Sequence, residues 1–182
     1  MIMATTVRFT SFPRTKPPPS FVPLIVAVFQ AHEPKICTMV LEKGLESDPV
    51  LKELAIDISK LGFTVETAKT KKTKIARPVF YGENGEPSLR YEIDAYHAEW
   101  RCGLEVEAGR AILGNAIFRD LFQAMVMTDV DHLCLAIPNV YKYKSRGRNL
   151  AVRYYEKAIS VADALYGHTR VAMPYGLTII GY

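Results

Sequence analysis

Tyr91-Glu92-Ile93-Asp94 and, ten residues further on, Glu105-Val106-Glu107 set acids among apolar residues at alternating positions. Side chains alternate faces along a strand, so Leu104 and Val106 point into a core while Glu105 and Glu107 point together away from it. In the first segment Ile93 and Ala95 share one side and Asp94 takes the other. If segments 89–97 and 102–108 pair as a hairpin, Asp94, Glu105 and Glu107 converge on one face. Like charges that close repel unless a cation neutralises them, and hard oxygen ligands suit Mg²⁺ or Mn²⁺. His97 and Glu99, near the turn between the two strands, are expected to be exposed.

Outward from this pair, Ser47-Asp48-Pro49 reads as a helix start. Val50, Leu51, Leu54, Ile56, Ile58 and Leu61 then lay down a mostly helical apolar stripe that ends at Gly62. Residues 63–67 read as a strand and 75–81 as another strand or an extended arm, with Gly82-Glu83-Asn84-Gly85 as a turn. A helix is expected over 111–127, where Ile112, Leu113, Ala116, Ile117, Leu121 and Ala124 recur at helical spacing, leaving Asn115, Arg119 and Gln123 as its polar stripe. Residues 131–137 read as a buried strand, 148–166 as a last helix and 177–180 as a last strand, with a loop rich in Lys, Arg and Tyr before that helix. Ser20 is expected to cap a short helix through His32. This order describes an α/β protein, a mixed β-sheet flanked by helices.

At 182 residues the chain suits one domain, 20–182, preceded by an arm over 1–19. The arm holds Arg8, Arg14 and Lys16 without an acid, and Pro17-Pro18-Pro19 keeps it extended, so it reads as flexible and basic. An organellar transit peptide shares these features; the basic arm is the reading adopted. The longest apolar run is broken by Pro23 and is too short to span a membrane. Cys37, Cys102 and Cys134 lie far apart with no CxxC pair, which fits reduced thiols in a cytoplasmic protein and argues against zinc.

The net charge of +4 is modest, but its distribution is uneven. Lys69, Lys71, Lys72 and Lys74 lie in one stretch free of acids, and Lys142, Lys144, Arg146 and Arg148 in another. Two basic segments flanking a carboxylate cluster would draw a polyanion toward it. Tyr141 and Tyr143 interleave with the second run, as on surfaces that stack on nucleic acid.

Acids on two adjacent strands, followed by a helix and a buried strand, resemble the PD-(D/E)XK nuclease superfamily with its restriction-endonuclease-like fold. The resemblance covers residues 48–137 and implies an αβββαβ core. It also implies metal binding by a strand Asp and by the first acid of a (D/E)-X-K triplet, which fall at Asp94 and Glu105. The family's lysine falls at Glu107, so Glu-Val-Glu reads as an acidic variant of the triplet. Ile93 stands where a Pro usually precedes the strand Asp. A helix-borne acid often completes such sites, and Glu53, mid-helix, takes that place.

Phosphodiester hydrolysis needs an attacking water, charge stabilisation on the phosphoryl oxygens and help for the leaving oxygen, all of which Mg²⁺ can supply. Glu107 would hold or deprotonate the water, or complete a second metal position. Without a lysine in the triplet, positive charge must come from a neighbour, of which Arg110 is nearest in sequence, ahead of Lys142 and Lys144. The leading expectation is therefore a metal-dependent endonuclease acting on DNA, as a homodimer where both strands are cut. The rival readings are a nucleic-acid-binding or assembly protein on the same fold without chemistry, and a hydrolase of a small acidic substrate.

Overall fold

The computed structural model describes residues 5–39, 41, 44–67, 73–109 and 111–182. Its centre is β7 (His132–Ile137), a fully buried run whose apolar residues face helices on both sides. Parallel neighbours flank it, β6 (Cys102–Val106) and β10 (Gly176–Gly181). Strands covered on both faces read as near-continuous apolar runs, which is why 132–137 shows no alternation. Beyond β6 come β5 (Ala95–His97) and then β2 (Thr64–Val65), each antiparallel to its neighbour. Beyond β10 lies β1 (Arg8–Phe12), also antiparallel. The result is a mixed six-stranded sheet in the order β1-β10-β7-β6-β5-β2.

Helices cover both faces. On one, α1 (Val22–Ile36) and α2 (Ser47–Lys60) pack on Leu104, Val106, Cys134 and Ala136. On the other, α3 (Ala116–Val126) and α4 (Tyr154–Gly167) pack on Leu133, Leu135, Ile137 and Ile179. The elements α2, β2, β5, β6, α3 and β7 follow one another in the expected αβββαβ order, interrupted between β2 and β5 by the hairpin of β3 (Ile75–Tyr81) and β4 (Pro87–Ile93). Among the described residues no helix is long and apolar enough to cross a membrane.

Several elements depart from the sequence expectation. Part of the expected flexible arm is β1, and its Arg8 and, just past it, Arg14 pair with Glu156 and Asp163 of α4 at 2.6 and 2.8 Å. α1 starts one turn past Pro19 with Phe21 as its N-cap rather than Ser20, and it runs on through Pro34. α3 begins only at Ala116, because Asn115 adopts a left-handed conformation (φ 58°) that no helical turn can include. The basic stretch expected as a loop is a hairpin, β8 (Val140–Ser145) paired with β9 (Arg148–Arg153). Arg146 and Gly147 both take positive φ, the geometry of a two-residue turn that matches strand twist. α4 is therefore shorter at its start than expected, since Arg148–Arg153 belongs to β9.

Candidate metal centre

The strand that carries Asp94 bends at that residue. Ile93 ends β4, which pairs with β3, while Ala95 opens β5 opposite Leu104 of β6. Ile93 accordingly packs with α3 and α4, whereas Ala95 faces α1 and α2, so the two do not share a side as a straight strand would require. The bend removes the ladder partner of Val106. Asp94 replaces it: its Oδ2 accepts the Val106 N–H at 2.8 Å. Gly103 makes room for the turn-in of Ile93, since a Cβ there would overlap Ile93 Cδ1.

Continuing the β5–β6 register puts Asp94 opposite Glu105, and directly opposed residues share a face. That face is the α3/α4 side, and it is not open to solvent. Glu105 is buried at 7% exposure, and its carboxyl interacts with that of Asp94. Burial, then the charges of Asp94 and Asp120, push the Glu105 carboxyl well above the usual range. Burial likewise lifts Asp94 to about 6, despite the compensating Val106 N–H. Both carboxyls are thus pushed toward the protonated form, Glu105 by burial and by the neighbouring acids.

Glu107 follows one strand pitch on. Its N–H donates to Ala136 O at 2.9 Å and its carbonyl accepts from the Tyr182 hydroxyl at 2.8 Å, which fixes its backbone. Its side chain is 13% exposed and meets Arg119 of α3, with Nη2 donating to Oε1 at 2.7 Å. The same guanidinium reaches Asp120 Oδ1, 2.8 Å from Nη2 and 2.9 Å from Nε. The other oxygen of Asp120, Oδ2, is buried with no hydrogen-bond partner. Burial, with the charge of Glu107 next, raises the Asp120 carboxyl to about 7.

Asp120 is the residue that sequence reasoning missed. It faces the core with Ala116, Ile117, Leu121 and Ala124. The available signal is an acid on the apolar face of an amphipathic helix. Arg119, expected on a solvated stripe, bridges two acids of the cluster.

The remaining predicted residues lie elsewhere. Glu53 does not join the acids: α2 packs on the opposite face of the sheet, where Glu53 accepts from Lys35 at 2.6 Å and meets His32 Nδ1 at 2.9 Å. The second nitrogen of His32 meets Asp57 at 2.8 Å. Arg110, Lys69, Lys71 and Lys72 lie outside the described residues. Lys74 forms an ion pair with Glu92 across the β3–β4 hairpin. Arg77 of the same segment is engaged by Asp129 and lies 3.9 Å over the Tyr96 ring. His97 is buried rather than exposed. It stacks on Trp100 with centroids 3.8 Å apart and holds Leu61 O at 3.0 Å, so both residues anchor the turn.

The β8–β9 hairpin has two faces. Tyr141 and Tyr143 stack with each other, and Tyr141 on Tyr154, while Lys142 and Lys144 point the other way. Tyr154 donates its hydroxyl to Gly109 O at 2.8 Å, two residues past Glu107. Gly109 lies so close to the Tyr141 ring that a Cβ there would collide with it. The aromatic face thus clamps the hairpin beside the acidic strand end. Lys144, Arg146 and Arg148 remain exposed, and Lys142 Nζ donates to Leu41 O at 3.0 Å.

The donor set has the oxygen chemistry of a hard divalent-cation site but not its geometry. Four carboxyls, from Asp94, Glu105, Glu107 and Asp120, interact on one face, and one buried oxygen has no partner. The arrangement is not a closed cage, however: among the described residues no three such groups converge to hold an ion. Two of the four acids are instead bridged by Arg119.

An α/β sheet with acids on adjacent central strands is the setting, and comparison with known families supplies the kinship. The chain belongs to the family described as putative halobacteria restriction endonuclease, whose model matches residues 11–182. No curated protein and no solved structure matches it.

Proposed function

We propose that the chain is a metal-dependent nuclease that hydrolyses phosphodiester bonds of DNA at Asp94, Glu105, Glu107 and Asp120. The observation that carries this is the buried group of four interacting carboxyls with an unpartnered Asp120 oxygen. Burying four acids with one paired cation among the described residues costs stability, a cost that a binding role accounts for. Membership of a family of restriction endonucleases supports DNA as the substrate.

Asp94 and Glu105 are the firmest positions, one braced by the Val106 N–H and the other set in a buried strand. To bind Mg²⁺ or Mn²⁺, Glu105 must be deprotonated against the upward push of its burial. A bound cation would polarise the scissile phosphate and neutralise charge building on its oxygens. Glu107, the most accessible of the four, is placed to accept a proton from the attacking water. The exposed cations of the β8–β9 hairpin would track the backbone, with Lys142, Lys144, Arg146 and Arg148 as positioning contacts rather than base readers.

Incubation with supercoiled and linear DNA in Mg²⁺, Mn²⁺ or chelator tests this. Cleavage that requires the metal and is lost in Asp94→Asn and Glu105→Gln supports it. Nicking alone indicates a single copy at work, and linear product a dimer. Wild type that binds DNA but cuts no substrate with either metal would contradict it. That outcome would favour the rival reading of a binding protein without chemistry, for which the lack of a ready cage speaks.

A further inference from the structure

Arg119 makes an unusual set of contacts for a residue on the outer side of a helix. Its side chain is 58% exposed, yet its guanidinium is bound to Glu107, whose side chain is 13% exposed, and to Asp120, at 1%. Among the described residues it is the cation that pairs with any of the four acids. Its neighbour Asp120 spends one oxygen on this contact and leaves the other unpartnered. The guanidinium therefore neutralises half of the cluster from the solvent side. It does so at the two acids that a divalent cation also needs.

We propose that Arg119 is the displaceable counter-cation of the acidic centre. It holds Glu107 and Asp120 while no divalent cation is bound, and must leave them when one is. Released, it presents a fixed positive charge beside the site to the substrate phosphate, a charge that the Glu-Val-Glu triplet does not provide. The inference rests on the reading of the four acids as a cation site. Its physical basis is competition. One carboxylate oxygen cannot satisfy a guanidinium N–H and a dication fully at once, and a cation near the cluster repels a second one. Guanidinium also suits the second task, because its donor fork matches phosphate geometry and its charge is permanent. The side chain is long and mostly solvated, so leaving the acids uncovers no core.

Competition gives this idea a sign that a supporting role does not share. If Arg119 merely buttressed Glu107, Arg119→Gln would loosen the site and weaken metal binding. A counter-cation predicts the reverse. The experiment is a calorimetric Mn²⁺ titration, without DNA, of wild type, Arg119→Gln, Arg119→Lys and Asp94→Asn, each checked for folding by circular dichroism. Arg119→Gln should bind Mn²⁺ about tenfold more tightly or better, the scale of one lost charge-assisted contact. Arg119→Lys, which keeps charge but not the fork, should fall between. In saturating Ca²⁺, Arg119→Gln should bind an oligonucleotide about tenfold more weakly on the same scale.

Equal or weaker Mn²⁺ binding by folded Arg119→Gln overturns the proposal. If wild type still binds Mn²⁺ through Asp94, the metal site itself stands. Mn²⁺ binding by neither wild type nor Arg119→Gln overturns both.

Discussion

Asp94 Oδ2 accepts the backbone N–H of Val106 at 2.8 Å, so the acid on one strand is locked to the strand that carries Glu105. The carboxylate does two jobs there, completing a ladder broken by the bend and setting an acid opposite Glu105. Asp94→Asn keeps an amide oxygen for Val106 but removes the charge. Circular dichroism and the unfolding midpoint should therefore stay close to wild type while metal-dependent cleavage disappears. Asp94→Ala should also unfold more easily, by about 1–3 kcal/mol, because it strands a buried N–H. If Asp94→Asn cleaves normally, Asp94 is structural only.

Asp120 offers a trade between stability and function. Its unpartnered oxygen and the neighbouring charges disfavour the cation-free fold. Asp120→Asn removes the charge and places a donor among acceptors. The variant should be more stable than wild type in chelator at pH 8, by about 1–3 kcal/mol, while Mn²⁺ raises its midpoint less. A loss of stability in chelator would show that the acid is well accommodated.

Stability should depend on pH in a direction opposite to ordinary acid denaturation. Asp94 and Asp120 sit at about 6 and about 7, and Glu105 is raised too. Acids that hold protons more tightly when folded contribute fully at low pH, below their unfolded values near 4. That contribution is lost as pH rises through the folded values. The midpoint in chelator should accordingly fall between about pH 5 and 8, a fall that Mn²⁺ reverses. His32, raised chiefly by its hydrogen bond to Asp57, adds a fall of the same sign above its ordinary value. His32→Gln separates the two, since it removes the histidine part and leaves the buried acids. A midpoint that stays flat or rises in wild type would show that burial does not hold these acids protonated.

How much of this could be read from sequence follows from what each pattern encodes. Asp94, Glu105 and Glu107 were legible because a period of two and one short turn fix both face and register. Their burial was not: nothing local says that α3 covers that face. Asp120 stayed hidden because its helix reads as apolar at every neighbouring position. Glu53 was chosen for lying mid-helix, but helical position says nothing about which side of the sheet a helix packs on. The β8–β9 hairpin turns on Arg146-Gly147, without the Asn-Gly or Asp-Gly that usually announces such a turn. β1 was masked by the prolines that follow it, although its pairing with β10 depends only on residues before them.

Salt dependence tests the hairpin. Each phosphate neutralised on duplex DNA should contribute about −0.9 to the log–log slope of affinity against salt. Replacing Lys142, Lys144, Arg146 and Arg148 together by Ser should flatten the slope and weaken binding to all sequences alike. Lys142→Ser alone also loses the contact with Leu41 O, so its folding should be checked separately. An unchanged slope in the quadruple variant would mean that the hairpin does not touch the backbone.

The account stands or falls on a divalent cation among the four acids. Anomalous diffraction from a crystal soaked in Mn²⁺ measures this directly. A peak is expected among Asp94, Glu105, Glu107 and Asp120, with ligand oxygens at about 2.0–2.6 Å and Arg119 no longer bridging Glu107 and Asp120. Saturating Mn²⁺ with no peak there, and Arg119 still in contact with both acids, would contradict it.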